Sequence, residues 1–128
     1  MAIQQHLDGE RNVMVFTVLG SLHFEELRST LESIYAEREY ATRSLFDMRE
    51  ATPGGLSGPE MEALVGLIRS LRAGRAHSRW AIVAGHDVHF GLARMFEAYA
   101  SKLPVEIHVF RDPDEALDWL EDGSLHAG

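Results

Sequence analysis

An α/β fold with a largely parallel sheet is what this 128-residue sequence predicts. Three observations predict it. Two short strand-like runs are followed by helix, strand, helix, strand, helix, strand and helix, and strands alternating with helices of this length make a parallel sheet covered by helices. The run Trp80-Ala81-Ile82-Val83-Ala84 is unbroken apolar, as a strand buried on both faces must be. The blocks 90–97 and 109–120 then supply a dense helix and a closing strand–helix pair.

Each element follows from its own pattern. Ile3, Gln5 and Leu7 alternate with polar neighbours, residues 8–12 (Asp-Gly-Glu-Arg-Asn) are turn chemistry, and 13–19 is nearly all apolar and β-branched or aromatic. This predicts a β-hairpin whose second strand is the more buried. Gly20 and Ser21 end it. Phe24, Leu27, Leu31, Ile34 and Tyr35 form a helical stripe with Glu25, Glu26, Arg28 and Glu32 outside. Residues 44–48 make a third strand, and 51–58, with Pro53, Gly54, Gly55 and Gly58, a loop. Met61, Leu64, Val65, Ile68 and Leu71 mark a second helix that stops near Gly74. A third helix over 87–102 carries Leu92, Phe96, Tyr99 and Leu103 on one stripe. Val105, Ile107 and Val109 alternate with Glu106 and His108 as a fifth strand, and 112–121 is a short acidic helix. One domain over 1–122 and a disordered tail over 123–128 are expected.

Composition bounds the function. The length is that of one ordinary domain, burying roughly two-thirds of its unfolded surface. Twenty acidic against 12 basic residues give a net charge of −8, which disfavours nucleic acid, a partner that wants a basic face. With no cysteine, disulfides, thiolate zinc sites and thiol nucleophiles are excluded. The N-terminal residues lack the basic start and apolar stretch of a signal peptide, and no apolar run approaches the ~20 residues of a membrane span. A cytoplasmic protein is expected.

The order of elements, ββαβαβαβα, together with Leu45-Phe46-Asp47-Met48-Arg49, the 80–84 run and the blocks 90–97 and 109–120, resembles the STAS domain of bacterial anti-sigma-factor antagonists, and within it the SpoIIAA-like family of stand-alone proteins. The resemblance covers nearly the whole chain. It implies a five-stranded mixed sheet with one antiparallel hairpin strand, four helices, and a fold also compared with the lipid-carrying CRAL-TRIO domains. It implies no established enzyme activity, and no cofactor is expected.

Ser57 is the first candidate site. In the resembled family a serine at the start of the second helix is switched by phosphorylation, and Ser57-Gly58 falls near that place, without the preceding Asp-Ser pair. A phosphate there would meet the free N–H groups of a helix start. Equally, Ser57-Gly58-Pro59-Glu60 is a capping box with proline in the first turn, a purely structural device. His86, Asp87 and His89 stand where the fourth strand hands over to the third helix. They offer two imidazoles and a carboxylate, with Asp47 as an extra, but they fall short of a metal's ligand set. The plain alternative is Asp87 as helix cap beside two solvent-facing histidines.

Phe90, Met95 and Tyr99 of the third helix, with Met61, Leu64 and Ile68 of the second, are the candidate lining of a groove for a small apolar or amphipathic ligand. Phe90 and Met95 lie off the core stripe, and methionine adapts to varied shapes. Wide apolar stripes are also ordinary core. Arg69, Arg72, Arg75 and Arg79 concentrate basic charge that would attract anionic lipid at about 1 kcal/mol each, or simply belong to a helix end and a solvated linker. A Ser57–His86–Asp47 triad can be drawn, but there is no Gly-x-Ser-x-Gly elbow, phosphate-binding glycine loop or cysteine nucleophile.

The expectation is therefore a non-enzymatic, cytoplasmic binding module for a small apolar or amphipathic, lipid-like ligand, with reversible membrane association through the arginines. The alternative is a partner-switching regulator that binds another protein under control of Ser57. Gly54 and Gly55 would be the hinge if the second helix moves as a lid. A first strand at the sheet edge can pair across a homodimer.

Overall fold

The computed structural model describes residues 2–36, 43–52, 55–71, 78–103 and 105–121, of which 2 and 34–36 by backbone alone. The elements are β1 (Ala2–Asp8), β2 (Val13–Leu19), α1 (Phe24–Ala36), β3 (Arg43–Asp47), α2 (Gly58–Leu71), β4 (Ser78–Val83), α3 (Asp87–Tyr99), β5 (Val105–Phe110) and α4 (Pro113–Glu121). The five strands lie in chain order, β1-β2-β3-β4-β5. β1 pairs antiparallel with β2, and every later pair is parallel. This is the mixed sheet that the sequence predicts. The expected tail over 123–128, Gly54, Gly74, Arg72 and Arg75, and the side chains of Ile34 and Tyr35 lie outside the described residues.

Local chemistry fixes the hairpin. The Asp8 carboxylate accepts from the backbone N–H groups of Glu10 (3.2 Å) and Arg11 (3.3 Å), and Asn12 takes the left-handed conformation at φ 55° that asparagine tolerates. Gly20, at φ 80°, ends β2 and bridges to Ala51, so a glycine is required there.

Sequential order has a consequence for layers. Right-handed crossovers that always step the same way along the sheet put every connecting helix on one face. Accordingly, Leu31 of α1, Leu64, Val65 and Ile68 of α2, and Ala93 of α3 share one core with Phe16, Trp80, Ile82 and Ile107. α4 follows the last strand without a crossover and takes the opposite face, where Ala116 and Leu120 pack on Val13, Leu45, Ala81 and Val83. β4, held between β3 and β5 with helices on both faces, is buried at all six positions.

The helices do not sit equally close. α4 packs directly on β4, and α3 on β5, through small residues such as Ala116, Ala93 and Ala100. α1 and α2 touch each other and, in the case of α2, α3, more than they touch any strand. Bulky residues separate them from the sheet: Phe16 stacks on Phe46 (4.9 Å between centroids), and Phe46 meets the edge of Trp80 (5.3 Å). Interiors pack to nearly constant density, so a layer propped off on large rings leaves a gap wherever the rings do not meet the helices.

Candidate functional site

That gap is a cavity of about 110 Å³ beneath α2. Its floor is Val18, Phe46, Met48, Trp80 and Ile82 of the sheet and its edge, and its roof includes Met61 and Leu64 of α2. Leu27 and Leu31 of α1 close one flank; His89, Leu92, Ala93 and Phe96 of α3 close the other. Among the described residues no Asp, Glu, Lys or Arg lines it, and the exposed wall is apolar. A cavity of that character stays dry or takes an apolar guest.

Of the six residues predicted to line a groove, two line this cavity: Met61 and Leu64. Ile68 is fully buried in the adjoining core. Phe90 lies under the Arg111 guanidinium, 4.2 Å from the ring centroid, and Met95 and Tyr99 are exposed at 44% and 40%. The reason is helical phase. The inward row of α3 is His89, Leu92, Ala93, Phe96 and Ala100, and residues 90 and 95 fall outside it. Tyr99 was expected on the core stripe; it turns out to the surface, where its hydroxyl stands 3.8 Å from the position a Cβ on Gly58 would take.

The segment leading into α2 passes along α3. A Cβ at Gly55 would overlap Leu92 Cδ1, so the absent side chain permits the close approach, and Leu56 next to it enters the cavity wall. Ser57 then caps α2: its Oγ accepts from the Glu60 N–H (3.2 Å) while the Glu60 carboxylate accepts from the Ser57 N–H (2.9 Å). This is the reciprocal capping box.

The carboxyl ends of β4 and β5 lie where α3 leaves for one face and α4 for the other, the place at which open α/β sheets form a crevice. Arg111 spans it. Its Nη2 donates to Asp87 Oδ1 at 2.7 Å and its guanidinium covers Phe90. The helix cap is His86 by backbone, with no side-chain cap bond, rather than Asp87. His89 is not solvent-facing but 0% exposed, its ring 5.6 Å from that of exposed His86. An imidazole at the first turn of α3 is carried inward because residue 89 precedes Leu92, Ala93 and Phe96 by one and two turns. Among the described residues no three His, Asp or Glu side chains gather as a metal's ligands would.

Asp47 belongs to Arg49, which donates to both carboxylate oxygens (2.9 and 2.8 Å) and through its backbone N–H (3.1 Å). Burial raises the Asp47 pKa, but the hydrogen bonds and charge of Arg49 outweigh it and hold the carboxyl below its ordinary value. With Asp47 on Arg49 and Ser57 on Glu60, the paper triad has no hydrogen-bonded counterpart. Arg79, expected in a solvated linker, is instead the second residue of β4. It donates to Glu106 (2.8 Å) and to the Trp119 carbonyl (3.1 Å), with its guanidinium 5.3 Å from the Trp119 ring. It is therefore spoken for inside the protein. Arg69 is exposed on α2. No helix among the described residues is long and apolar enough to cross a membrane.

Comparison of the structure with solved ones places this architecture. It superposes on the crystal structure of an uncharacterized protein of the DUF3478 family from Shewanella loihica PV-4, which has a SpoIIAA-like fold. The TM-score is 0.59 and the identity 24%, over 93% of this chain and 92% of that one. The fold is SpoIIAA-like. A SpoIIAA-like fold at that coverage accounts for the whole ββαβαβαβα order, including the hairpin strand and α4. No family model matches the chain, and no curated protein is similar to it in sequence.

Proposed function

We propose that this protein is a non-enzymatic binding module that takes a small apolar or amphipathic molecule into the cavity beneath α2. One observation carries the proposal: an apolar space of about 110 Å³ beneath α2, bordered by a segment that approaches α3 closely at Gly55. An unfilled cavity costs stability in proportion to its volume, and a guest that fills it returns that stability by linkage. The wall joins residues from the sheet and three helices, so occupancy would be felt by α1, α2 and α3 together.

The alternative, a switch at Ser57, draws less support. The serine is exposed, but Glu60 already supplies a carboxylate 2.9 Å from its backbone nitrogen, and a phosphate would add like charge beside it.

The test is native mass spectrometry of the protein purified gently from its own cells, compared with its denatured mass. A non-covalent adduct lost on denaturation is the expected result. A bare mass, with no thermal stabilisation by any member of a library of small apolar compounds, would overturn the proposal.

A further inference from the structure

Resting on the cavity as a ligand site, we infer that its guest is a neutral, compact group the size of one aromatic ring, not an acyl chain. Size decides first. At about 110 Å³ the space is of the order of the smallest apolar protein cavities that hold a guest, the scale of one six-carbon ring. A sixteen-carbon chain is several times the length of such a ring, so most of it would lie outside the space. Apolar protein cavities of about 150 Å³ take up benzene or xenon.

Wall chemistry decides next. Phe46, Trp80, Phe96 and His89 bring four rings to the space, with Phe46 and Trp80 already inclined at 60° to one another. Such edges and faces suit a further ring in an edge-to-face arrangement. The thioethers of Met48 and Met61 add contacts that sulfur makes well with aromatic rings. Among the described residues no carboxylate, ammonium or guanidinium lines the wall, so an ionised guest would shed its water without any of these to pair with.

The experiment follows the methionine methyl groups by NMR in otherwise wild-type protein, titrated separately with benzene, benzoate and palmitate. Met48 and Met61 report on the cavity, and Met95, on the surface, is the internal control. Benzene should move the Met48 and Met61 signals saturably and leave Met95 in place, while benzoate and palmitate move none of the three. Ala93→Leu should abolish the benzene response by filling the space. Saturable shifts at Met48 and Met61 from palmitate but not benzene would overturn the ring-sized class while leaving the cavity as a binding site. Equal saturation by benzoate would overturn the requirement for a neutral guest. No response to any probe would overturn the class and the binding site together.

Discussion

Replacing Ala93 by leucine adds three carbons to the inward row of α3, at a position 6% exposed on the cavity wall. The magnitude can be worked from two directions. At about 24 cal/mol per Å³, a cavity of 110 Å³ withholds roughly 2.6 kcal/mol that complete filling would restore. Three buried carbons at about 0.8 kcal/mol each give roughly 2.4 kcal/mol. Fixing the leucine rotamer costs about 0.5–1 kcal/mol, so a net gain of roughly 1.5 kcal/mol is expected. With an m-value of about 1.5 kcal/mol/M, the urea midpoint should rise by roughly 1 M with m unchanged. A close-packed site would behave oppositely, because overpacking costs about 1–3 kcal/mol. The sign of the midpoint shift is therefore the measurement. A fall in midpoint with the native amide spectrum retained would refute the reasoning that the space is real.

Three further outcomes follow from contacts outside the cavity. Arg79→Ala should destabilise by about 3 kcal/mol, the lower end for a broken buried pair, since Glu106 keeps some access to water. Adding Glu106→Gln should recover part of that loss in a double-mutant cycle, because the stranded charge is then gone. For Asp47, whose pKa Arg49 holds below the ordinary carboxylate value, the stabilising contribution is present above the unfolded value and is lost as pH falls through the lower folded one. Arg49→Gln removes the guanidinium hydrogen bonds and charge and keeps the backbone N–H bond, so the Asp47 pKa read by carboxyl-carbon NMR should rise and the acid-unfolding midpoint should move to higher pH. Ser57→Ala should cost about 1 kcal/mol, whereas Ser57→Asp, which caps as well, should be nearly neutral in thermal unfolding.

Element order was legible because each helix and strand carries its own period. Which side chains meet was not, because that depends on strand order, which no local pattern encodes. Arg79 shows the difficulty. From sequence it sits in a basic cluster; in the sheet it stands directly opposite Glu106, and the ion pair exists only because β4 and β5 are neighbours in that register. His89 carries a signal in its helical phase. It lies three, four and seven residues before Leu92, Ala93 and Phe96, so helical phase places it on the buried row, but a histidine beside His86 and Asp87 suggests solvent or metal. Phe90 and Met95 do not join a groove between α2 and α3 for the converse reason: both lie off the inward row of α3. Phe90 instead supports Arg111, and Met95 faces out.

The layer arrangement makes a last prediction about motion. Four intervals of about 4.8 Å give a five-strand sheet a breadth of roughly 19 Å, just enough for three helices spaced about 8–10 Å apart on one face. Among the described helices α4 alone serves the other face, packing on β3, β4 and β5 through residues as small as Ala81 and Ala116. Gln4 and His6 of β1 are exposed, so that end of the sheet has little apolar surface to cover. The two faces consequently differ in tightness: α4 rests on the sheet, and α2 rests on its neighbours over a cavity. Opening free energies follow buried contact, so α2 amides should exchange faster than those of α4 in the free protein. Filling the space, by benzene or by Ala93→Leu, supplies α2 with the contacts it lacks and leaves α4 untouched. Hydrogen exchange should then slow in α2, by roughly tenfold for 1.4 kcal/mol gained, with no change in α4 beyond the global gain. Equal slowing across both helices would mean that α2 opens only with the whole domain, and that it is not the door to the cavity.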